Sequence, residues 1–165
     1  MGYPRTIRNY NSFIDGISYF GRCIEAKLPA LKLLTGSHRG AGMDAPIDID
    51  LGMEGMMSEL TFAEWAPELI TMIGTRTRLV LRPGEMGEQD FSAVGFAATL
   101  AGRVTVVDPG NLKGGEEAPL KLTQSVDYYR LQREGEELFE IEVENGKRVI
   151  DGVDQLADLR RAMGA

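Results

Sequence analysis

Residues 39–52 read RGAGMDAPIDIDLG, and this stretch decides how the rest of the chain is interpreted. Its first half places glycine and alanine around Met43 and Asp44 and ends at Pro46, which has no backbone N–H to donate. This composition predicts a shaped loop. The second half alternates apolar and acidic side chains with the period of a β-strand: Ile47, Ile49 and Leu51 against Asp48 and Asp50. A loop that leads into a two-faced strand suits a surface that meets another subunit or a ligand.

Length and composition indicate one domain spanning residues 1–165. A chain of 165 residues with 43% hydrophobic side chains can bury a core without metal or disulfide support. No apolar run approaches the roughly 18 residues of a membrane span, and the first residues lack the apolar centre of a signal peptide. We therefore expect no membrane anchoring.

The charged and reactive residues exclude several classes of function. With 25 acidic and 18 basic side chains the net charge is −7, which disfavours adhesion to nucleic acid phosphates. Cys23 and His38 are the only residues of their types, so an internal disulfide and a zinc site built from several Cys and His ligands are excluded. We expect no catalytic residues, no metal and no cofactor, and folding in a reducing cytoplasm.

The pattern of apolar residues predicts a mainly β chain. Longer strands are expected at 17–28, 46–60, 92–107 and 118–131, and shorter ones at 9–14, 76–82, 136–142 and 147–150. In the fourth long strand, one face carries Leu120, Leu122, Val126 and Tyr128, and the other carries Lys121, Thr123, Ser125 and Asp127. Turns are expected at Asp15-Gly16, Asp108-Pro109-Gly110 and Asn145-Gly146.

Two helices and one long loop complete the predicted organisation. The first helix is expected at 66–73, with Pro67 in its first turn and Gly74 at its end. The second is expected at 155–163, capped by Asp154 and followed by Gly164. An extended loop at about 29–45 is longer than connections in compact domains usually are.

Several short motifs, in this order and spacing, carry a resemblance to a known family. They are Asn11-Ser12-Phe13-Ile14-Asp15-Gly16, Leu28-Pro29, the RGAGMDAP run, Val107-Asp108-Pro109-Gly110, Asp127-Tyr128-Tyr129, and Ile150-Asp151-Gly152-Val153-Asp154-Gln155-Leu156 with Arg160 and Arg161. From about Asn9 to the C-terminus the chain resembles the major tail tube protein of contractile-tailed bacteriophages. That family includes the tube proteins of R-type pyocins and is related in fold to type VI secretion tube proteins. Residues 56–90 contribute little to the resemblance.

The resemblance implies a fold and an assembly. The fold is mainly β (α+β), an antiparallel β-barrel or sandwich with one or two short helices, whose subunits oligomerise through their sheet edges. Hexameric rings stack into a tube that conducts DNA and penetrates the envelope. The implied contacts between rings or subunits are Arg39, Gly40, Gly42, Met43 and Asp44. The implied channel-facing residues are Asp48, Asp50, Thr123, Ser125 and Asp127.

The same resemblance implies partners and a location. The partners are further copies of the chain, the tail sheath protein, the baseplate and tail-terminator proteins, and a tape-measure protein inside the tube. DNA is in contact only in passing. The location is the virion tail, assembled in the cytoplasm of the bacterial host.

Two alternatives remain open at this point. One is a tube protein of a phage-derived bacteriocin or type VI secretion-like device, with the same fold. The other is a monomeric β-barrel that binds a small ligand, which predicts a deep apolar pocket and no association.

Overall fold

The computed structural model describes residues 2–165, which form twelve β-strands and two short helices. In chain order these are β1 (Thr6–Ile14), β2 (Ile17–Ser18), β3 (Cys23–Lys27), β4 (Leu33–His38), β5 (Ile47–Met53), β6 (Met56–Phe62), α1 (Pro67–Ile70), β7 (Arg76–Met86), β8 (Ala93–Asp108), β9 (Leu120–Arg133), β10 (Glu136–Glu142), β11 (Lys147–Ile150), β12 (Val153–Asp154) and α2 (Ala157–Ala162).

Ten of the strands form one antiparallel sheet, and β4 and β5 form a separate two-stranded sheet. The main path runs β12-β11-β10-β9-β8-β7-β1-β2, and β6 with β3 branches from β9. This confirms the mainly β fold with two short helices. The sheet is not closed into a barrel within the subunit, so its edge strands keep unpaired backbone groups.

The sheet forks at β9. Strand β8 pairs along one edge of β9, while β6 and then β10 share the opposite edge. The fork folds the branch with β6 and β3 towards the rest of the sheet, and the core fills the space between them. Its buried apolar side chains include Ile14, Tyr19, Leu60, Phe62, Leu69, Leu79, Leu100, Leu120, Leu122, Val126, Tyr129 and Ile141.

A buried amide fixes the strands around this fork. Gln124 of β9 is 4% exposed, and its Nε2 donates to the carbonyl oxygens of Thr77 at 2.9 Å and Gly102 at 3.2 Å. The hydroxyl of Ser58 donates to Gln124 Oε1 at 3.2 Å. A side chain at Gly102 would collide with the carbonyl oxygen of Ser125, so β8 and β9 can approach this closely only with glycine there. One side chain thus ties β9 to β6, β7 and β8.

Two irregularities between β8 and β9 change which side chains enter the core. The register shifts between Ala101 and Gly102, and again between Val104 and Val106. A shift of one residue exchanges the two faces of a strand. The prediction that Tyr128 lies on the buried face is therefore wrong, because Tyr129 is buried at 3% exposure and Tyr128 is only half-buried. Burial raises the pKa of Tyr129 to about 12.

Two of the long strands predicted from sequence are interrupted. The strand expected at 17–28 is broken between β2 and β3, where Gly21 has a φ of 79°. The strand expected at 46–60 ends at Met53 and resumes at Met56, and its halves belong to different sheets. The expected bounds 136–142 and 147–150 are confirmed.

Both helices are shorter than expected. The first covers only Pro67–Ile70 and the second only Ala157–Ala162. The residue before the second helix is Leu156, not Asp154, although Asp154 Oδ1 still accepts from the Leu156 N–H at 3.1 Å. No residue of α2 is buried, so the helix does not pack its apolar stripe into the core of its own subunit.

The expected loop at 29–45 is largely a β-hairpin. Residues 33–38 form β4 and pair with β5 in the register Thr35↔Asp50, Gly36↔Ile49 and His38↔Ile47. The sequence of β4, LLTGSH, does not alternate apolar and polar residues as β5 does, so the pattern does not predict a strand there. We call residues 33–53 the arm, and residues 39–46 at its turn the tip.

Candidate functional site

The tip of the arm is an ordered turn. The Met43 N–H donates to the Gly40 carbonyl at 3.2 Å, and Arg39 Nε donates to the Met43 carbonyl at 3.2 Å. Gly42 has a φ of 87°, a conformation that glycine adopts without strain. These contacts bring together Arg39, Gly40, Gly42 and Met43, with Asp44 following directly and exposed. The tip therefore presents the predicted contact residues at the end of a projecting hairpin, although their role in contact stays a prediction.

The arm exposes its apolar face. Successive side chains of a strand point to opposite faces of the sheet. Ile47, Ile49 and Leu51 of β5 therefore lie on one side, and Asp48 and Asp50 on the other. The apolar residues are 53%, 44% and 61% exposed, respectively. An isolated two-stranded hairpin is only marginally stable in water, and in this one about half of each apolar side chain remains open within its own subunit.

The polar face of the arm is tied to the body of the subunit by an ion pair. Asp50 Oδ2 accepts a hydrogen bond of 2.6 Å from Arg148 Nη2 of β11. This bond, followed by the Gly52 N–H at 2.9 Å, lowers the pKa of Asp50 below its usual value. At the base of the arm, Glu54 N–H donates to the Lys32 carbonyl at 2.8 Å. The arm is thus held at its base, while its length projects away.

The five predicted channel residues differ in their burial and in their hydrogen-bond partners. Thr123 is buried at 6% exposure and contributes no open surface, so we leave it out of any channel wall. Asp50 is engaged with Arg148, and Asp127 with Arg76, whose Nη2 donates to Asp127 Oδ1 at 2.7 Å. Asp48 and Ser125 are exposed. Their facing a channel stays a prediction.

A cleft of about 410 Å³ lies at the base of the arm. We call it the base cleft. Its walls come from the end of β5, the start of β6, from β9, β10 and β11, and from Leu156, the residue before α2. Its lining combines apolar and charged side chains. The apolar members are Met53, Met56, Val126, Ile141, Val143 and Leu156, and the polar ones are Glu54, Ser125, Asp127, Glu142, Lys147 and Arg148.

Arg148 and Arg76 are functional candidates that the sequence did not reveal. Arg148 is 98 residues from Asp50 along the chain, and Arg76 is 51 residues from Asp127. Pairs so distant leave no local spacing signal. Arg148 lies in the short strand KRVI, and the sequence of that strand does not indicate that this guanidinium is buried.

A second opening, the apolar groove, lies between β1, β3, β7, β8 and β9. It has a volume of about 280 Å³, and its lining includes Tyr10, Leu28 and Phe96. The residues described, 2–165, contain no cluster of three or more side chains that could ligate a metal. Within the same residues, no helix has the length and apolar character needed to cross a membrane.

Comparison with known proteins agrees with these features. The family described as phage tail tube protein FII matches residues 4–164. The tail tube protein of Escherichia phage P2 is 30% identical over 171 aligned positions, covering 99% of this chain and 99% of that protein. The major tail tube protein of Serratia phage KSP20 is 27% identical over 149 positions, covering 88% of this chain and 86% of that protein. The family resemblance predicted from the sequence is confirmed.

Proposed function

This chain belongs to the phage tail tube protein FII family, and from that membership we propose that it forms hexameric rings that stack into the inner tube of a contractile phage tail. It is a structural protein and not an enzyme. The names of the relatives describe a tube, which requires many copies to associate. The finer features, six-fold rings and the passage of DNA, are part of the proposal.

The observation that carries the proposal is the uncovered arm. A projecting hairpin with three exposed apolar side chains on one face, Ile47, Ile49 and Leu51, gains stability only when another molecule covers it. The open sheet edges have the same requirement, because unpaired strand edges invite pairing with another chain. In a closed ring of identical subunits both needs are met by copies of the same chain.

The charge of the chain suits a conduit for DNA. A net charge of −7 means that the assembled wall repels a polyanion more than it holds it. Exposed Asp48 and Ser125 are our candidates for the channel surface. In a tail, the tube meets the sheath on its outside, a tape-measure protein on its inside, and baseplate and terminator proteins at its ends.

The test is assembly of the purified protein as its concentration rises. We expect light scattering to show particles that grow with concentration, and negative-stain microscopy to show rings or tubes with six-fold symmetry. Binding to double-stranded DNA should be weak at 150 mM salt. A strict monomer at millimolar concentration, or tight and salt-sensitive DNA binding, would contradict the proposal.

A tube without a genome is the nearest alternative, as in a bacteriocin or a secretion-like device. It shares the arm, the sheet and the assembly, and differs in what passes through the channel. Purified particles that contain tubes and sheath but no capsid or DNA would favour it.

The apolar groove is the feature that favours a monomeric ligand-binding protein. That alternative predicts stoichiometric binding of an apolar dye by the monomer, with loss of binding in a Phe96→Asp variant. It gives no reason for the exposed apolar face of the arm, which is why we prefer the tube.

A further inference from the structure

The base cleft contains a buried cation with unused hydrogen-bond donors. Arg148 is only 6% exposed, and its Nη2 donates to Asp50. Its Nε and Nη1 are buried and have no acceptor among residues 2–165. Buried charged groups are normally fully hydrogen-bonded, because an unsatisfied charged donor is costly in a low-dielectric environment.

The neighbouring charges do not fill this need, since each has its own partner. Lys147 Nζ lies 2.5 Å from Glu140 and 3.7 Å from Glu142. Asp127 binds Arg76, and Glu54 lies 3.6 Å from Lys32. The unpaired donors in the cleft are therefore those of Arg148, in a lining that combines an apolar wall with the paired carboxylates of Glu54, Asp127 and Glu142.

A site of this kind selects a particular ligand. An unused guanidinium N–H donates a strong, charge-assisted hydrogen bond to a carboxylate oxygen. The apolar wall favours a short apolar segment beside that carboxylate. The expected occupant is a peptide that carries one acidic side chain among small or apolar residues.

The tip of the arm has this composition. It reads Met43-Asp44-Ala45-Pro46, and Asp44 is exposed. Asp44 takes part in none of the ion pairs formed among the described residues. The tip thus offers one unpaired anion beside apolar side chains, and the base cleft offers one half-paired cation beside an apolar wall.

The tip cannot reach the cleft of its own subunit. The cleft is lined by Gly52 and Met53, which lie at the base of the arm, whereas the tip is at its far end. The six residues of β4 separate them by roughly 20 Å at about 3.3 Å per residue. The occupant must come from a second copy.

We propose that the base cleft of one subunit binds the tip of the arm of another, with Asp44 accepting a hydrogen bond from Arg148 Nη1. This inference rests on the proposed function and adds the receiving site. In this arrangement Arg148 holds two carboxylates, that of its own Asp50 through Nη2 and that of the incoming Asp44 through Nη1. One buried guanidinium then couples the position of the arm in one subunit to the docking of the next.

Cross-linking tests the contact directly. In a Cys23→Ala background, which leaves only introduced thiols, we combine Ala45→Cys in the tip with Ser125→Cys in the cleft, so that Asp44 and Arg148 are retained. Mild oxidation of assembled protein should give a ladder of covalent oligomers on a non-reducing gel. The matched control replaces Ser125→Cys by Asn111→Cys, an exposed position in the loop that precedes β9, and should give no ladder.

A charge reversal provides the second measurement. Asp44→Lys should raise the concentration needed for assembly roughly tenfold or more while leaving the circular dichroism spectrum unchanged, and Asp44→Glu should assemble close to wild type. If wild-type protein forms tubes but the cleft pair gives no ladder and Asp44→Lys assembles normally, the inference is overturned and the proposed function stands. If wild-type protein forms no assemblies at all, both are overturned.

Discussion

Replacing Leu51 with serine should weaken assembly and leave the subunit folded. Leu51 lies on the apolar face of the arm and is 61% exposed, so little of its side chain contributes to the stability of the subunit. Within the subunit, the Cδ1 atom of Leu51 packs against Gly36 of β4. In the proposed tube this face is a contact between copies of the chain. Removing the methyl groups of Leu51 should therefore weaken the association of subunits.

The magnitude follows from the exposed fraction. Full burial of a leucine side chain contributes about 1.5–3 kcal/mol, and about three-fifths of that remains available at Leu51, or roughly 1–2 kcal/mol per contact. At about 1.4 kcal/mol per tenfold change, each contact is weakened by roughly 5- to 30-fold. A subunit that makes several contacts in a tube multiplies this effect, so the critical concentration should rise by at least the single-contact factor.

Sedimentation velocity over a concentration series measures this change, with thermal unfolding of the dilute subunit alongside. The matched control is Leu112→Ser, which removes an even more exposed leucine, at 71%, from the loop between β8 and β9. We expect the control to assemble like wild type. Equal critical concentrations for Leu51→Ser and wild type would refute the role of the arm's apolar face.

Two further predictions concern the subunit itself. Gln124→Met keeps the volume but removes four buried hydrogen bonds and leaves the Ser58 hydroxyl without its acceptor. It should cost about 2–4 kcal/mol and lower the Tm by roughly 5–15 °C in a thermal melt, whereas Gln132→Met on the same strand should change it by much less. The hydrogen bond from Lys147 lowers the pKa of Glu140 below its usual 4.5, so the pair stabilises the fold above that pH and the contribution is lost as the pH falls through the lowered value. In urea titrations, Glu140→Gln should be less stable than wild type by on the order of 1 kcal/mol at pH 7 and equally stable near pH 2, and a difference that persists undiminished at low pH would show that the charge of Glu140 is not its cause.

The sequence predicted best where local chemistry decides the structure. The Asp15-Gly16 turn is formed with φ values of 49° and 83°, as a tight hairpin requires. Gly74 has the expected positive φ, 78°, although it closes the turn that follows the first helix and not the helix itself, which ends at Ile70. The strands with turn residues at both ends, Glu136–Glu142 and Lys147–Ile150, have the predicted bounds.

The sequence predicted poorly where distant residues decide the structure. Irregular pairing between β8 and β9 moved Tyr129 inside in place of Tyr128, and an alternating pattern cannot indicate where such a shift occurs. The first strand of the arm forms because β5 is available to pair with it, although LLTGSH alone has no clear period. Asp50 was expected on an open acidic face, and its binding to Arg148 depends on a contact that only the folded chain creates.

The fork at β9 has a mechanical consequence. Hydrogen bonds between antiparallel strands run perpendicular to the strands, so a load applied along β9 shears many of them at once instead of opening them one at a time. Strand β9 shares such bonds with three neighbours, and thirteen of its fourteen residues are paired with a neighbouring strand. A pull or push along this strand is therefore shared at once among β6, β8 and β10, rather than borne by a single pair of strands.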